Sequence, residues 1–294
     1  MSYRVLEKEA KILGKGLKNK AQAEEGFDGS SEEGKPATKT EGTGGSKPPE
    51  PPLGGESMDA AEKGSGDKVQ KKGEMTPEKQ RFIDQIFSTK RFSVPPSSLK
   101  ESEKGVRDFF KNDIANVEKH IKEKNLSRFP ESLLKVLAES EDYNVTAVSF
   151  VWEEDRIGMV KTISNRPGNY NRLNKQSQIS LWAIAEDDGS LEEEITHILD
   201  HILGSNTEEI DGTLSAGKGI TKRLEEFGKE IDTLYKDKSN DLGTYASINP
   251  REFLGQAVRY NLKFPTLLQE ICPSVYNVVE NKWFNEDFWK EVFE

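Results

Sequence analysis

The hydrophobic positions of the chain repeat with a helical period near residue 80, and this period returns after a central region of alternating positions. The stretch TPEKQRFIDQIFSTKRF begins with Thr76 and Pro77, which are typical of a helix N-terminus, and then carries one apolar stripe. The stretch SSLKESEKGVRDFFKNDIANVEKHIKEKN begins with a capping box, Ser98 and Glu101, and keeps helical spacing throughout. These patterns predict two helices, and PESLLKVLAES predicts a third.

Alternating positions occupy the middle of the chain. NVTAVSFVW and QISLWAIAE are the stronger strand patterns and MVKTI is a weaker one, whereas SNRPGNYNRLN is rich in turn residues and predicts a loop. A few strands between two helical groups favour an α+β fold in which helices pack on a small mixed sheet.

The stretch SLEEEITHILDHILG predicts an amphipathic helix with two of the three histidines of the chain. Ser190 is a suitable N-cap and Gly204 a suitable stop. At about 100° per residue, the aliphatic side chains fall on one face. The polar face carries Glu193, Glu194, His197, Asp200 and His201.

Two interpretations of this polar face stay open from the helix alone. A solvated face is the simpler one, because Glu193 closes a capping box and acidic residues in a first turn favour the helix dipole. A metal site is the other. The stretch NDLGTYASINPREFLGQAVRYNL favours the metal site, since it predicts a second helix that begins at Asn249 and Pro250. The polar side of that helix carries Glu252, Gln256 and Arg259.

Composition limits the partners. Residues 1–75 are rich in Gly, Pro, Ser, Lys and Glu and predict a disordered tail, so the folded part is expected over residues 76–294. The tail is nearly balanced in charge, and the net charge of −10 therefore lies almost entirely on the folded part. This argues against nucleic acid as a partner. No apolar run reaches the length of a membrane span or a signal peptide.

Several other residues favour ordinary packing over chemistry. His120 lies beside an apolar stripe, and Cys272 has no histidine at a useful spacing and precedes Pro273. The four tryptophans are expected to pack in the core, and residues 3–20 predict a short basic amphipathic helix.

Three stretches, EEITHILDHIL, TYASINPREFLGQAVRYNL and ICPSVYNVVENKW, resemble the catalytic domain of anthrax toxin lethal factor and its relatives, the clostridial Pro-Pro endopeptidases. The resemblance covers about residues 115–285 and implies a zincin-like metallopeptidase domain. It gives Glu194 the role of general base, and His197 and Glu252 those of zinc ligands. Tyr245, seven residues before Glu252, matches the family tyrosine that resembles an oxyanion stabiliser.

The chain departs from the family at two positions. Glu193 stands where the family has the first histidine ligand, and Gln256 stands where it has a second glutamate. Glu193, His197 and Glu252 still offer the three protein ligands that a catalytic zinc needs. Two carboxylates weaken the effect of the metal on a bound water and also favour harder ions such as manganese.

The resemblance implies a toxin-like zinc endopeptidase that acts on a protein or peptide substrate. A catalytically inactive module of the same fold that binds a carrier protein is the alternative, because the amino-terminal domains of the anthrax factors resemble this fold without the zinc motif. Secretion follows from the resemblance alone, and without a visible signal peptide a cytoplasmic location stays open. A second frame, HILDH, resembles the inverted zinc motif with Asp200 as a shortened base; in the preferred frame His201 and Gln256 lie just outside the ligands.

Overall fold

The computed structural model describes residues 73–154, 161–164, 166–171, 174–204 and 212–294 of the 294-residue chain. The helix expected over residues 3–20 and the tail up to residue 72 lie outside the described residues. The described helices of the N-terminal half are α1 (Pro77–Ser88), α2 (Pro96–Glu101), α3 (Lys104–Phe109), α4 (Ile114–His120) and α5 (Glu131–Glu139). The later ones are α6 (Leu181–Glu186), α7 (Ser190–Ile202), α8 (Lys222–Lys238), α9 (Pro250–Lys263), α10 (Pro265–Ile271), α11 (Pro273–Val278) and α12 (Glu286–Phe293).

The strands form a small mixed sheet and a separate ribbon. They are β1 (Phe92–Ser93), β2 (Asn144–Val148), β3 (Val151–Glu154), β4 (Lys161–Ser164), β5 (Gly168–Asn171) and β6 (Gln176–Ser180). The sheet has the order β1-β2-β6-β5, with β1, β2 and β6 parallel and β5 antiparallel to β6, and β3 pairs with β4 in the ribbon. The fold is therefore α+β and helix-rich, as predicted.

Helices α1 and α9 begin at the caps that the sequence predicted. In α1 the Thr76 side chain accepts a hydrogen bond from the Lys79 amide, and Pro77 is the first helical residue. In α9 the Asn249 side chain caps the Glu252 amide in the same way. Helix α5 follows Pro130 as predicted.

The long helix predicted after Ser98 is wrong, because the segment folds as three short helices. Lys111 and Asn112 take left-handed backbone angles, with φ near 55°, and the Asp113 side chain then caps a new helix at Ala115. Ser98 lies inside α2 and does not cap it. Phe109, the last residue of α3, is 51% exposed beside this break.

Two predictions in the central region are also wrong. Only the first three residues of QISLWAIAE belong to a strand, because the Ser180 side chain caps the Ala183 amide and the apolar run continues as α6. The turn-rich SNRPGNYNRLN contains β5, since the backbone of residues 168–171 pairs with β6. The strand predicted in MVKTI is confirmed over residues 161–163 of β4.

One hydrophobic cluster joins the helices to the sheet. Trp283 and Trp289 are buried in it, as expected of the tryptophans, and so is Cys272, whose thiol pKa burial and the nearby Asp241 raise to about 12. Trp182 packs against the cluster from its edge. Across the residues described, no helix has the length and apolar character needed to cross a membrane.

Candidate metal centre

Helix α7 is buried on both its apolar and its polar face. Gly189, at φ +84°, precedes the first helical residue, Ser190, whose side chain makes no capping bond. The prediction of Ser190 as N-cap is therefore wrong by one position. Residues 190–201 are all buried, so the interpretation of a solvated polar face is also wrong.

Helix α9 covers part of this polar face at close range. A Cβ atom on Gly255 would lie 2.7 Å from His197 Cε1 and 3.1 Å from Glu193 Cγ. Contacts this short do not occur for a real Cβ, so only glycine permits the two helices to approach so closely. Since Gly255 lies on the turn after Glu252, the approach brings Glu252 beside His197.

Side chains from α7 and α9 converge as the metal triad, which consists of Glu193, His197 and Glu252. One potential ligand atom from each lies within 4.8 Å of the others, and all three residues are buried. His197 Nε2 is 3.3 Å from Glu252 Oε2 and 4.0 Å from Glu193 Oε1. The triad could therefore hold a metal ion.

One of the measured spacings suits a tetrahedral ion. Two ligand atoms at about 2.1 Å from such an ion lie about 3.4 Å apart, close to the distance of 3.3 Å between His197 Nε2 and Glu252 Oε2, whereas Glu193 Oε1, 4.0 Å from Nε2, would have to move inward. Glu252 Oε2 is buried and makes no well-aligned hydrogen bond among the described residues, although the His197 imidazole faces it at 3.3 Å. A metal ion could take the place of the imidazolium proton between these two atoms, so the donor set fits a metal.

Each carboxylate of the triad also contacts an arginine of α9 through its other oxygen. Glu193 Oε2 accepts from Arg259 Nη1 at 3.0 Å, and Glu252 Oε1 accepts from Arg251 Nη2 at 2.9 Å. Arg259 is itself fixed by Asp188, with Nη2 3.1 Å from Oδ2 and Nε 3.0 Å from the carbonyl oxygen.

These pairs set the protonation of the triad. Burial alone raises the pKa of Glu252, but His197 and Arg251 outweigh it and hold that pKa well below its usual range. Burial lowers the pKa of His197, but Glu252 outweighs it and raises that pKa. Without a metal, the triad is therefore stabilised as a carboxylate–imidazolium pair.

Glu194 lies beside the triad and faces the sheet. Its Oε2 accepts from the Ser177 hydroxyl of β6 at 3.1 Å, and a Cβ atom on Gly168 of β5 would lie 2.5 Å from its Oε1. Burial, reinforced by the charges of Glu193 and Glu252, raises the pKa of Glu194 to about 7 despite His197 and Ser177. Glu194 can therefore exchange a proton near neutral pH.

Tyr245 lies close to the triad from the loop before α9. Burial, together with its contact with Glu252, raises the pKa of the Tyr245 phenol far above its ordinary value. The phenol therefore keeps its proton and can donate a hydrogen bond.

The residues of the inverted frame have other partners. Asp200 accepts from the Ser215 amide at 2.6 Å and from the Ser215 hydroxyl at 2.8 Å. His201 Nδ1 lies 2.6 Å from the Tyr170 hydroxyl of β5. Gln256 does contact the triad, because its Nε2 donates to Glu193 Oε1 at 2.8 Å.

Sequence reasoning missed Arg251, Asp188 and Ser177. Arg251 could have been found from its place next to Glu252, because neighbouring opposite charges at the start of a helix can pair. Ser177 and Asp188 meet the site only through the sheet and the turn before α7, and no local pattern marked them.

The comparisons with known proteins add no relative. A scan against protein-family models finds no match, and searches of the curated proteins and of the solved structures find none either.

Proposed function

We propose that this protein is a zinc-dependent peptidase of the zincin type, with the metal triad as ligands and Glu194 as general base. One observation carries the proposal. Ligand atoms of Glu193, His197 and Glu252 converge from two helices to within 4.8 Å of one another, with a fourth carboxylate, Glu194, beside them.

The contacts of the carboxylates favour zinc. An arginine holds one oxygen of each carboxylate, so at most one oxygen of each can bind an ion, and Glu193 Oε1 would bind it beside the Gln256 amide that donates to it. Three single ligands plus an open position are typical of catalytic zinc. Calcium requires six to eight oxygens. Manganese is the second choice, because carboxylates also suit harder ions.

The chemistry follows from the neighbours of the triad. A bound zinc ion supplies a Lewis acid that polarises a peptide carbonyl and lowers the pKa of water. Glu194, the buried carboxylate beside the triad, would accept the proton of the attacking water. Tyr245 keeps its proton and donates a hydrogen bond to the developing oxyanion.

Elemental mass spectrometry tests the metal. We expect close to one zinc per chain in the purified full-length protein and its loss in His197→Ala. Zinc missing from both proteins after incubation with the ion would sink the proposal.

A peptide library tests the reaction at equal zinc content. Glu194→Gln should abolish cleavage, and Tyr245→Phe should lower kcat about 100-fold or more, as for removal of one oxyanion donor. Cleavage at the parent rate in Glu194→Gln would show that the base has been assigned wrongly.

A partner-binding module without catalysis is the second candidate, and a different observation favours it. Glu193 has both oxygens engaged, by Arg259 and Gln256, and the triad side chains are only 5–8% exposed. The cluster can therefore act as a buried polar core whose charges are paired without an ion. The elemental analysis separates the two functions, because only the peptidase needs the ion.

A further inference from the structure

Both carboxylates of the metal triad bridge an arginine and the metal position. Glu252 contacts Arg251 through Oε1 and faces His197 Nε2 through Oε2. Glu193 contacts Arg259 through Oε2 and faces the same nitrogen through Oε1. The two arginines therefore occupy equivalent positions behind the two ligands.

The fold makes specific room for one of these arginines. A Cβ atom on Gly189 would lie 2.9 Å from Arg259 Cγ, and Gly189 has a φ of +84° that disfavours any other residue. Asp188 then fixes the guanidinium through its side chain and its carbonyl oxygen. The position of Arg259 is thus built into the turn before α7.

The charges explain what the arginines do. Two carboxylates cancel the charge of a divalent ion, whereas the two histidines and one carboxylate of the zincin pattern leave it a net charge of about +1. A guanidinium behind each carboxylate withdraws part of its negative charge and repels the ion.

We infer that Arg251 and Arg259 are positioning residues that present one oxygen of each carboxylate and keep the ion electrophilic, at the expense of metal affinity. This inference rests on the proposed zinc site. It makes an unusual prediction: removal of an arginine that contacts a ligand tightens metal binding.

Arg251 gives the sharper test, because its side chain is 26% exposed and Glu252 is its ion-pair partner, whereas Arg259 is 5% exposed and also neutralises Asp188.

Gln at position 251 retains an N–H donor for Glu252 Oε1 but has no charge. Lys retains the charge. Arg107→Gln, on α3, controls for the loss of a positive charge outside the site.

The experiment measures zinc affinity of the metal-free full-length protein by competition with a chromophoric chelator. We expect the Kd of Arg251→Gln to fall about tenfold, and the Kd values of Arg251→Lys and Arg107→Gln to stay within about threefold of the parent. Reduced kcat at full zinc occupancy should accompany the tighter binding.

The outcomes separate the two proposals. An unchanged or higher Kd in Arg251→Gln, with normal zinc binding by the parent, overturns the role of the arginines and leaves the zinc site intact. A tenfold lower Kd in Arg251→Lys as well overturns the explanation by charge. No zinc binding by the parent overturns the proposed function and this inference with it.

Discussion

Two buried clusters of charge share helix α7, and neighbouring glutamates belong to different ones. Glu192 belongs to the arginine cluster, where Arg128 binds Asp187 with two hydrogen bonds of 2.8 and 2.9 Å and also contacts Glu192. Lys263 Nζ completes this cluster, 2.8 Å from Asp187 Oδ1. Glu193 belongs to the metal triad.

The clusters differ in where the cation lies. In the arginine cluster the Arg128 guanidinium lies between the carboxylates of Asp187 and Glu192, although Glu192 Oε2 makes no hydrogen bond among the described residues. In the metal triad the arginines lie behind the carboxylates, and the inner oxygens converge on one imidazole nitrogen. Burial of charge alone therefore does not indicate a metal site. In the metal triad, the group that both inner oxygens face is itself a potential metal ligand, the His197 imidazole, whose proton a metal ion could replace.

The largest expected effect is a loss of stability in Arg128→Gln, which should affect the arginine cluster and leave the metal triad unchanged. Glu192 is fully buried, and loss of its cation leaves an uncompensated charge that costs about 3–5 kcal/mol. Zinc affinity should stay unchanged. Urea unfolding and the chelator titration measure the two quantities, and Lys236→Gln, which removes an exposed ion pair, should change stability by less than about 1 kcal/mol. Loss of zinc from a folded Arg128→Gln protein would show that the clusters act as one.

The next largest effect is expected for Glu194→Gln, which should change how the stability of the metal-free protein depends on pH. The ordinary pKa of this carboxyl is 4.5 and its folded pKa is about 7, so the folded state binds the proton more tightly. The parent therefore loses stability as pH rises from about 4.5 to 7, by about 3 kcal/mol in total. Glu194→Gln should lose less over this range and be more stable than the parent at pH 8.

Urea unfolding at pH 5 and pH 8 measures this difference. Glu225→Gln serves as the control, because Glu225 is exposed and its pKa is lowered by Lys229. Identical pH dependence in the parent and Glu194→Gln would mean that the folded carboxyl is charged throughout. A stabilised variant without catalysis would show that Glu194 is retained at a cost to the fold.

The sequence predicted the metal triad better than its surroundings. Glu193 and His197 lie four residues apart on one amphipathic helix, so their common face follows from the helical period. Glu252 lies on α9, which Asn249 and Pro250 predicted, and its place with the other two was implied by the family resemblance alone. Their burial could not be predicted, because it depends on how the helices meet: Arg259 of α9 pairs with Glu193 of α7, and His197 of α7 pairs with Glu252 of α9.

The errors in the fold have the same kind of cause. The apolar run LWAIAE suits a strand or a buried helix equally, and the Ser180 cap decides between them. Residues 168–171 form a strand because their backbone pairs with the free edge of β6, and the local sequence does not indicate this pairing. The register then places Tyr170 opposite Ser177, and both contact α7, at His201 and Glu194.

The smallest effect concerns Gly255, where α7 and α9 meet. Ala would place its Cβ 2.7 Å from His197 Cε1, so the imidazole or the helix must shift, at a cost of about 1–3 kcal/mol. This contact involves His197 of the metal triad and no residue of the arginine cluster. We therefore expect a larger loss in the free energy of zinc binding than in the free energy of unfolding. Gly105→Ala is the matched control, because a Cβ there meets nothing within 4 Å and Ala favours the helix by about 0.5–1 kcal/mol. A Gly255→Ala protein that is less stable than the parent but binds zinc equally well would contradict this expectation. The close approach of the two helices would then serve packing alone, and zinc binding would tolerate a shift of the His197 imidazole.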